Sequence, residues 1–365
     1  MHFCIDMRIN IGYNDFNDKA EALMSRKKVT IKDIANYVGV TPMTVSYVIN
    51  QTPNQSISAE TKQRVLDAVK KLNYVPNNAA KALRLNQTYC IGVAMEKKLI
   101  VQRYAQILEG IRSRLEENGY SILLCNNQQS TKALPEYMNC FLENRVDGII
   151  YVSMDGQDIP EKYQKQIKQF NIPFVALDCE DMENFSTVQY DYYRGACQQT
   201  EHLIKKGAKH LIYFRPQTNT KQERYRLRGV EDTLKKYPEV TLAIYEIPYS
   251  VEKEQEVPNL GMIYDKTMLG IFSKALEDEQ DNIQEKDGII CSWGRWVEVV
   301  FAETLKRGMK VQISGLAEGT LYAPLWDNVT YSLLPNYEAG CILSEMILEQ
   351  IKKPEIVRHE VLSPL

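Results

Sequence analysis

Histidine is scarce in this sequence. His2, His202, His210 and His359 are its four imidazoles, and none falls into an HxxxH or HExxH spacing. No pair is therefore placed to share one helical face, as a helix-borne zinc site requires. Cysteine is better represented but never closely paired: Cys4, Cys90, Cys125, Cys140, Cys179, Cys197, Cys291 and Cys341 include no CxxC. Several lie in apolar runs such as YCIGVAM and ILLCNN, where a thiol is usually a small buried hydrophobe. Neither a metal site nor a disulfide framework is expected, and no cofactor is. GxGxxG and GxxxxGK[ST] are absent, which removes the nucleotide fingerprints. So are a nucleophile elbow and any recognisable Ser/His/Asp or Cys/His arrangement, which argues against an enzyme. No apolar run reaches the roughly 18 residues of a membrane span. The start, MHFCIDMRIN, has neither a basic n-region nor a continuous apolar h-region, so no secretory signal is expected and cytoplasm is the default.

What is present is a soluble composition, 44% hydrophobic and 25% charged, over 365 residues. That length exceeds one comfortable core, and two or three domains are expected. The net charge of −3 conceals an asymmetry. Between Arg26 and Thr88 stand Arg26, Lys27, Lys28, Lys32, Lys62, Arg64, Lys70, Lys71, Lys81 and Arg84, against Asp33, Glu60 and Asp67 only. A basic front on an acidic body points to a polyanion partner. A solvated helix face would account for Lys70-Lys71 but not for the whole bias.

The same front carries a pattern. In IKDIANYV, Ile31, Ile34, Ala35 and Val38 recur at i, i+3, i+4, i+7, one face of a helix. Thr30 with Asp33 is a helix-start signal, and Gly39 is a stop. Thr41 then caps a second helix with Pro42 at its first position. Val45, Val48 and Ile49 supply its apolar side and leave Thr44, Ser46, Tyr47 and Asn50 facing elsewhere. Two short helices about a glycine corner suggest a helix-turn-helix, with a generic helical hairpin as the alternative. A third helix opens at Ser58 with Val65, Leu66, Val69 and Leu72 as its stripe, so that three helices bury one another's faces. Pro76 ends it, and Asn78 through Leu85 form a segment too short to stay helical unless docked.

The run TIKDIANYVGVTPMTVSYVIN, with SAETKQRVLDAVKKLNYVPNNAAKALR behind it, resembles the lactose-repressor family of bacterial transcription regulators. The resemblance extends from about residue 26 through YCIGVAM to nearly the C-terminus. It implies a helix-turn-helix headpiece, a hinge helix that orders on operator DNA and a two-lobed effector-binding core. By position, Thr41, Pro42, Met43, Thr44, Ser46, Tyr47 and Asn50 match the recognition helix. Phosphate contacts would fall to Thr30, Thr44, Ser58, Thr61, Tyr74 and Asn77. Base reading would fall on Pro42, Met43 and Tyr47, weak hydrogen-bonders suited to thymine methyls. Many relatives carry Arg or His where Tyr47 stands. Ala80, Lys81 and Leu83 match the hinge, with Leu83 as the wedge inserted between base pairs from the minor groove; alone it would read as a packing leucine.

From Tyr89 onward, apolar runs alternate with amphipathic ones. YCIGVAM, YSILLCNN, VDGIIYVS and PFVALD, then HLIYF, VTLAIYEI, DGIICSW and VQISGL, read as buried parallel strands. Two such series imply two doubly wound α/β lobes with ligand at the strands' carboxyl ends. The resemblance makes these lobes periplasmic-binding-protein-like. Asp178 and Arg226 match its polar anchors for a hydroxylated ligand, and Tyr104 a cleft aromatic. Locally, Asp178 also reads as a turn residue, Arg226 as a surface ion pair and Tyr104 as core; Asp191 reads as a helix cap. Trp293-Gly294 stands where relatives have Asn-Asp, Gly315-Leu316-Ala317, followed by Glu318, replaces a Gly-Tyr/Phe-Asp strand end, and Leu334 takes a polar crossover position. Trp293 and Trp296 suit either a sugar ring or plain packing.

The expected organisation is an N-terminal extension over 1–25, a helix-turn-helix domain over 26–74, a hinge over 75–88 and a core over 89–365. Within the core, 89–190 and 335–352 form the first lobe, and 191–334 and 353–365 the second. VRHEVLSPL carries no leucine heptads, so a homodimer rather than a tetramer is expected. The leading reading is a repressor of a pseudo-palindromic double-stranded operator, controlled by a small-molecule effector such as a sugar or sugar derivative. A DNA-binding regulator whose cleft answers to a protein partner is the second, and an α/β enzyme the remote third. No membrane role is expected.

Overall fold

The protein is described here from a computed structural model, which covers residues 29–50, 52, 54–74, 87–95, 101–125, 134–153, 159–180, 182–248, 266–317 and 327–365. The expected 1–25 extension and all of the hinge before Gln87 lie outside the described residues. The chain forms two compact units, divided after Lys81.

The first unit holds α1 (Ile31–Val38), α2 (Pro42–Ile49) and α3 (Ala59–Lys71). Thr30 and Asp33 close a reciprocal cap: Thr30 N donates to Asp33 Oδ2 at 2.8 Å, and Asp33 N to Thr30 Oγ1 at 3.3 Å. Gly39 ends α1 in the left-handed region at φ 75°, where a side chain would cost energy. Each helix packs on the other two. Ile34, Ala35, Val38, Val45, Val48, Val65, Ala68 and Tyr74 make the core. Arg64 Nη2 donates to the Val38 carbonyl at 2.6 Å, tying α3 to the last turn of α1. Leu66, expected in the α3 stripe, is 41% exposed. The 3.6-residue period turns it outward once Val65, Ala68, Val69 and Leu72 face in.

The second unit alternates strands and helices. Its first part runs β1 (Cys90–Met95), α4 (Gln102–Glu117), β2 (Ser121–Cys125), α5 (Glu136–Leu142), β3 (Gly148–Val152), α6 (Glu161–Gln169), β4 (Phe174–Leu177) and β5 (Ser186–Tyr190). Its middle runs α7 (Tyr192–Lys205), β6 (His210–Pro216), α8 (Lys221–Leu234), β7 (Thr241–Ile247) and α9 (Lys266–Asp278). It continues with β8 (Gly288–Cys291), α10 (Gly294–Lys306), β9 (Gln312–Gly315) and β10 (Val329–Tyr331). It closes with α11 (Asn336–Lys352) and β11 (His359–Leu362).

Two all-parallel sheets result, ordered β11-β5-β4-β3-β1-β2 and β10-β9-β8-β6-β7. Strands β3, β4 and β8 are buried at every position, as central parallel strands covered on both faces must be. The two lobes start alike. Asp147 accepts from Thr88 N at 2.6 Å and Tyr89 N at 2.8 Å, pinning the start of β1. Asp287 accepts from Lys209 N at 2.7 Å and His210 N at 2.9 Å, pinning β6. Each aspartate opens an Asp-Gly-Ile-Ile run.

Helix α11 packs on α4 and on β3, β4 and β5 of the first sheet. The approach is close enough that a Cβ on Gly340 would lie 2.2 Å from the Ile107 carbonyl oxygen. Residues 353–365, expected in the second lobe, need correcting: β11 pairs with β5 in the first sheet, His359 opposite Thr187 and Leu362 opposite Tyr190. Its backbone supplies the edge partner that β5 would otherwise lack. No helix among the described residues is long and apolar enough to cross a membrane.

Candidate functional sites

On the first unit, the start of α2 is outward-facing. Thr41, Pro42 and Asn50 are exposed, Met43 is 64% exposed, and Thr44 and Tyr47 are half-buried. Thr41 Oγ1 accepts from Thr44 N at 3.1 Å and shares a hydrogen bond with Thr44 Oγ1 at 2.9 Å. Ser58 and Thr61 repeat that arrangement at the start of α3, N to Oγ at 3.2 Å and hydroxyl to hydroxyl at 2.9 Å. Thr30, Ser58 and Thr61 thus stand at helix N-termini, where unsatisfied backbone amides favour anionic oxygens. Two expected contact residues lie inward instead. Ser46 is buried, and its carbonyl and hydroxyl accept the Asn50 amide at 2.7 and 3.2 Å. Tyr74 belongs to the three-helix core. Asn77, Ala80, Lys81 and Leu83 lie outside the described residues.

The second site lies between the carboxyl ends of the two sheets. Asp178 follows β4 and takes a left-handed φ of 60°. Its Oδ2 accepts from Arg103 Nη2 at 3.0 Å and from the Tyr192 hydroxyl at 2.6 Å. Arg103 Nη2 also reaches the Tyr192 oxygen at 3.1 Å. Burial works against the charge of Arg103, yet Tyr192 and Asp178 more than restore it. Burial pushes the Tyr192 phenol up, keeping it a donor to the carboxylate.

The Tyr192 ring lies under the Arg226 guanidinium, 4.9 Å from its centroid. Arg226, 2% exposed, donates through Nη1 to Glu223 Oε1 at 2.7 Å and through Nη2 to the Leu316 carbonyl at 3.0 Å. Glu223, wholly buried, accepts from Ser292 Oγ at 2.7 Å through Oε2. Ser292 and Tyr213 share a further 2.7 Å hydrogen bond. One polar chain therefore runs from α4 through β4 and α7 to α8 and the end of β8. On the rim, Lys221 donates to Gln189 Oε1 at 3.0 Å and Arg224 pairs with Glu180 at 2.8 Å, linking α8 to the first lobe.

The structure thus brings Asp178 and Arg226 into one network. It places Tyr104 in the first lobe's core at 2% exposure, and its neighbour Arg103 on Asp178. Trp293 is half-buried after β8, its ring 4.8 Å from that of Trp296 and 4.4 Å from the Arg295 guanidinium; Trp296 is core. Asp191 caps α7, accepting from Arg194 N at 2.9 Å. Glu318 lies outside the described residues. The sequence reading missed Arg103, Tyr192, Glu223, Ser292 and Tyr213. Only the Glu223–Arg226 spacing of i, i+3 offered a local signal.

Comparison with known proteins agrees with both units. The family of bacterial regulatory proteins, lacI family, matches residues 30–77. Periplasmic binding proteins and sugar binding domain of LacI family matches residues 91–250. The HTH-type transcriptional repressor PurR of Mannheimia succiniciproducens is 31% identical over 201 residues, 55% of this chain and 59% of its own length. That of Haemophilus influenzae is matched over 60% of its length, so the chain aligns with about three-fifths of these first relatives. The ribose operon repressor of Halalkalibacterium halodurans is 24% identical over 335 residues, 91% of this chain and 94% of its own. Among solved structures, the lac repressor dimer bound to operator and the anti-inducer ONPF shares the fold at a TM-score of 0.71 and 21% identity, over 93% of this chain and 97% of that one. A CelR–cellobiose complex does so at 0.56 and 20%, over 93% and 98%. The chain thus carries a regulatory domain of the lacI family over residues 30–77, followed by a domain over 91–250 of the kind shared by periplasmic binding proteins and the sugar binding domain of the LacI family.

Proposed function

We propose that this chain is a sequence-specific transcriptional repressor that acts in the cytoplasm as a twofold homodimer on a pseudo-palindromic DNA operator. A small-molecule effector, a sugar or sugar derivative, occupies the interlobe cleft and sets the affinity for DNA. The observation that carries this reading is the start of α2, where Thr41, Pro42 and Met43 stand exposed on a helix held by two others. A helix presented N-terminus first is what the major groove accepts. Pro42, Met43 and Tyr47 read base edges, the last two chiefly by apolar contact. Thr30, Thr44, Ser58 and Thr61 take phosphate oxygens, joined by Asn77, and Ala80, Lys81 and Leu83 form the hinge that orders on the duplex. Ser46, Asn50 and Tyr74 hold the recognition helix in place. The effector works by favouring one lobe arrangement over another.

Selection of bound duplexes from a random pool, with and without candidate ligands, tests this. The expected outcome is a site with twofold symmetry whose recovery changes with ligand. Met43→Ala or Tyr47→Ala should relax the preferred bases, at about 1–3 kcal/mol of discrimination. Binding no better to any duplex than to scrambled competitor would overturn the reading.

A further inference from the structure

The groups around the cleft narrow the chemistry of its occupant. A neutral polyol is ordinarily held by a free carboxylate that accepts hydroxyl hydrogens. Here Asp178 already accepts from Arg103 and Tyr192, and Glu223 from Arg226 and Ser292. Asp178 uses only Oδ2 for both bonds; among the described residues, the buried side-chain atoms around the cleft that are left over include two guanidinium donors and one hydroxyl. The Nε of Arg103, the Nε of Arg226 and the Oγ1 of Thr220 are buried and have no protein partner. Thr220 stands at the N-cap of α8 but makes no side-chain cap bond, so the first amides of that 14-residue helix are not satisfied by it.

Charge points the same way. Among the described residues, Asp178 pairs with Arg103, Glu223 with Arg226, Glu180 with Arg224 and Glu246 with Arg215. Lys221, the first residue of α8, meets only the neutral amide oxygen of Gln189, at 3.0 Å. Among the described residues it is a cation with no acidic partner, at a helix N-terminus, where the peptide dipoles add further positive potential.

We propose that the cleft takes an anionic ligand, a phosphate monoester or a carboxylate, at the N-terminus of α8 between Arg103 and Arg226, with Lys221 at its edge. This rests on reading the cleft as the effector site. Asp178 and Glu223 then hold the two guanidiniums from behind and are not themselves the ligand's partners. Charge-assisted hydrogen bonds are roughly twice as strong as neutral ones, so the anion rather than the hydroxyls sets affinity. Lys221 reaches from the second lobe to Gln189 on β5 of the first. An anion that recruits its ammonium alters an interlobe contact, which is the differential interaction that ligand-driven closure needs.

Calorimetric titration of the full chain with glucose 6-phosphate, gluconate, inorganic phosphate and glucose tests the assignment, with operator binding measured in parallel. Glucose 6-phosphate or gluconate should bind where glucose does not, and whichever of the two binds more tightly identifies phosphate or carboxylate. Arg103→Gln and Lys221→Gln should each weaken that binding about 10- to 100-fold, and Arg103→Lys less. Lys221 lies on the rim, so its variant carries the test even if Arg103→Gln melts early. Glucose binding as tightly as its phosphate, anion binding unchanged in both glutamine variants, or silence of all three anions would overturn the proposal. Operator binding that responds only to neutral sugar sinks the anionic assignment alone. A chain with no preferred duplex sinks the repressor reading, whatever the cleft binds.

Discussion

In the first lobe Asp147 pins Thr88 and Tyr89 at the root of β1; in the second Asp287 does the same for Lys209 and His210 at the root of β6. At the opposite ends of the sheets the lobes part company. The first lobe's Asp178 receives Arg103 from a different element, at 10% and 12% side-chain exposure. The second lobe's Arg226 receives Glu223 from its own helix, at 2% and 0%. The common roots make two copies of one sheet, and the unlike ends make one cleft. Shared geometry at the root is compatible with unlike chemistry at the carboxyl ends, where open α/β sheets place their ligands.

The largest effect expected from breaking this comparison is on the second lobe's pair. Glu223→Ala leaves the Arg226 guanidinium buried without its carboxylate, which should cost about 3–5 kcal/mol. Asp178→Ala should cost less, about 1–3 kcal/mol, because Arg103 is nearer solvent and keeps the Tyr192 oxygen. Urea unfolding of the two variants, followed by a probe of the core, measures the gap. Equal losses would mean that the two ends are energetically alike after all.

At the roots the prediction is symmetry. Asp147→Ala strips a carboxylate from two backbone N–H groups and the Thr88 hydroxyl, and Asp287→Ala strips one from three backbone N–H groups; each should cost about 1.5–3 kcal/mol. The two melting temperatures should fall together. If one falls alone, the Asp-Gly-Ile-Ile runs are similar in sequence but not in load.

These residues also show what could be read beforehand. The headpiece was legible because its signals are local: caps at Thr30 and Thr41, a glycine stop at Gly39, and apolar positions at helical spacing within a few turns. The central strands were legible as unbroken apolar runs. β5, β10 and β11 were not, since STVQY, VTY and HEVL are short and mix polar with apolar residues. What makes β11 a strand is its pairing with β5, a partner that no local pattern names. Arg103 was passed over for Tyr104 because adjacent helical positions point about 100° apart, and only the packed core decides which one faces inward. Glu223 could be paired with Arg226 by spacing, but not its complete burial, which turns an ordinary helix-surface pair into a cleft support.

The smallest effect contrasts two helical glutamates, one in each lobe. Glu303 on α10 accepts from Lys306 and from Arg307 Nη1 at 2.6 Å, and Arg307 in turn reaches Ser273 Oγ at 2.7 Å on α9. The Lys306 hydrogen bond, opposed by burial and aided by Arg307, holds its carboxyl below the ordinary value. Glu109 on α4 is held below it too, by its hydrogen bond with Arg112, but is 53% exposed. A carboxylate whose folded pKa is depressed stabilises the fold above its unfolded pKa, about 4.3 for Glu, and loses that contribution as pH falls through the folded value. Glu303→Gln should therefore lower stability by about 0.5–1 kcal/mol at pH 7 and flatten the decline between about pH 5 and pH 3. Glu109→Gln should leave the curve nearly unchanged, because solvent screens an exposed pair. Thermal melts of both variants across that range decide it: a flattening as large for Glu109 as for Glu303 would show that Arg307 does not carry the tie between α10 and α9 through this carboxylate.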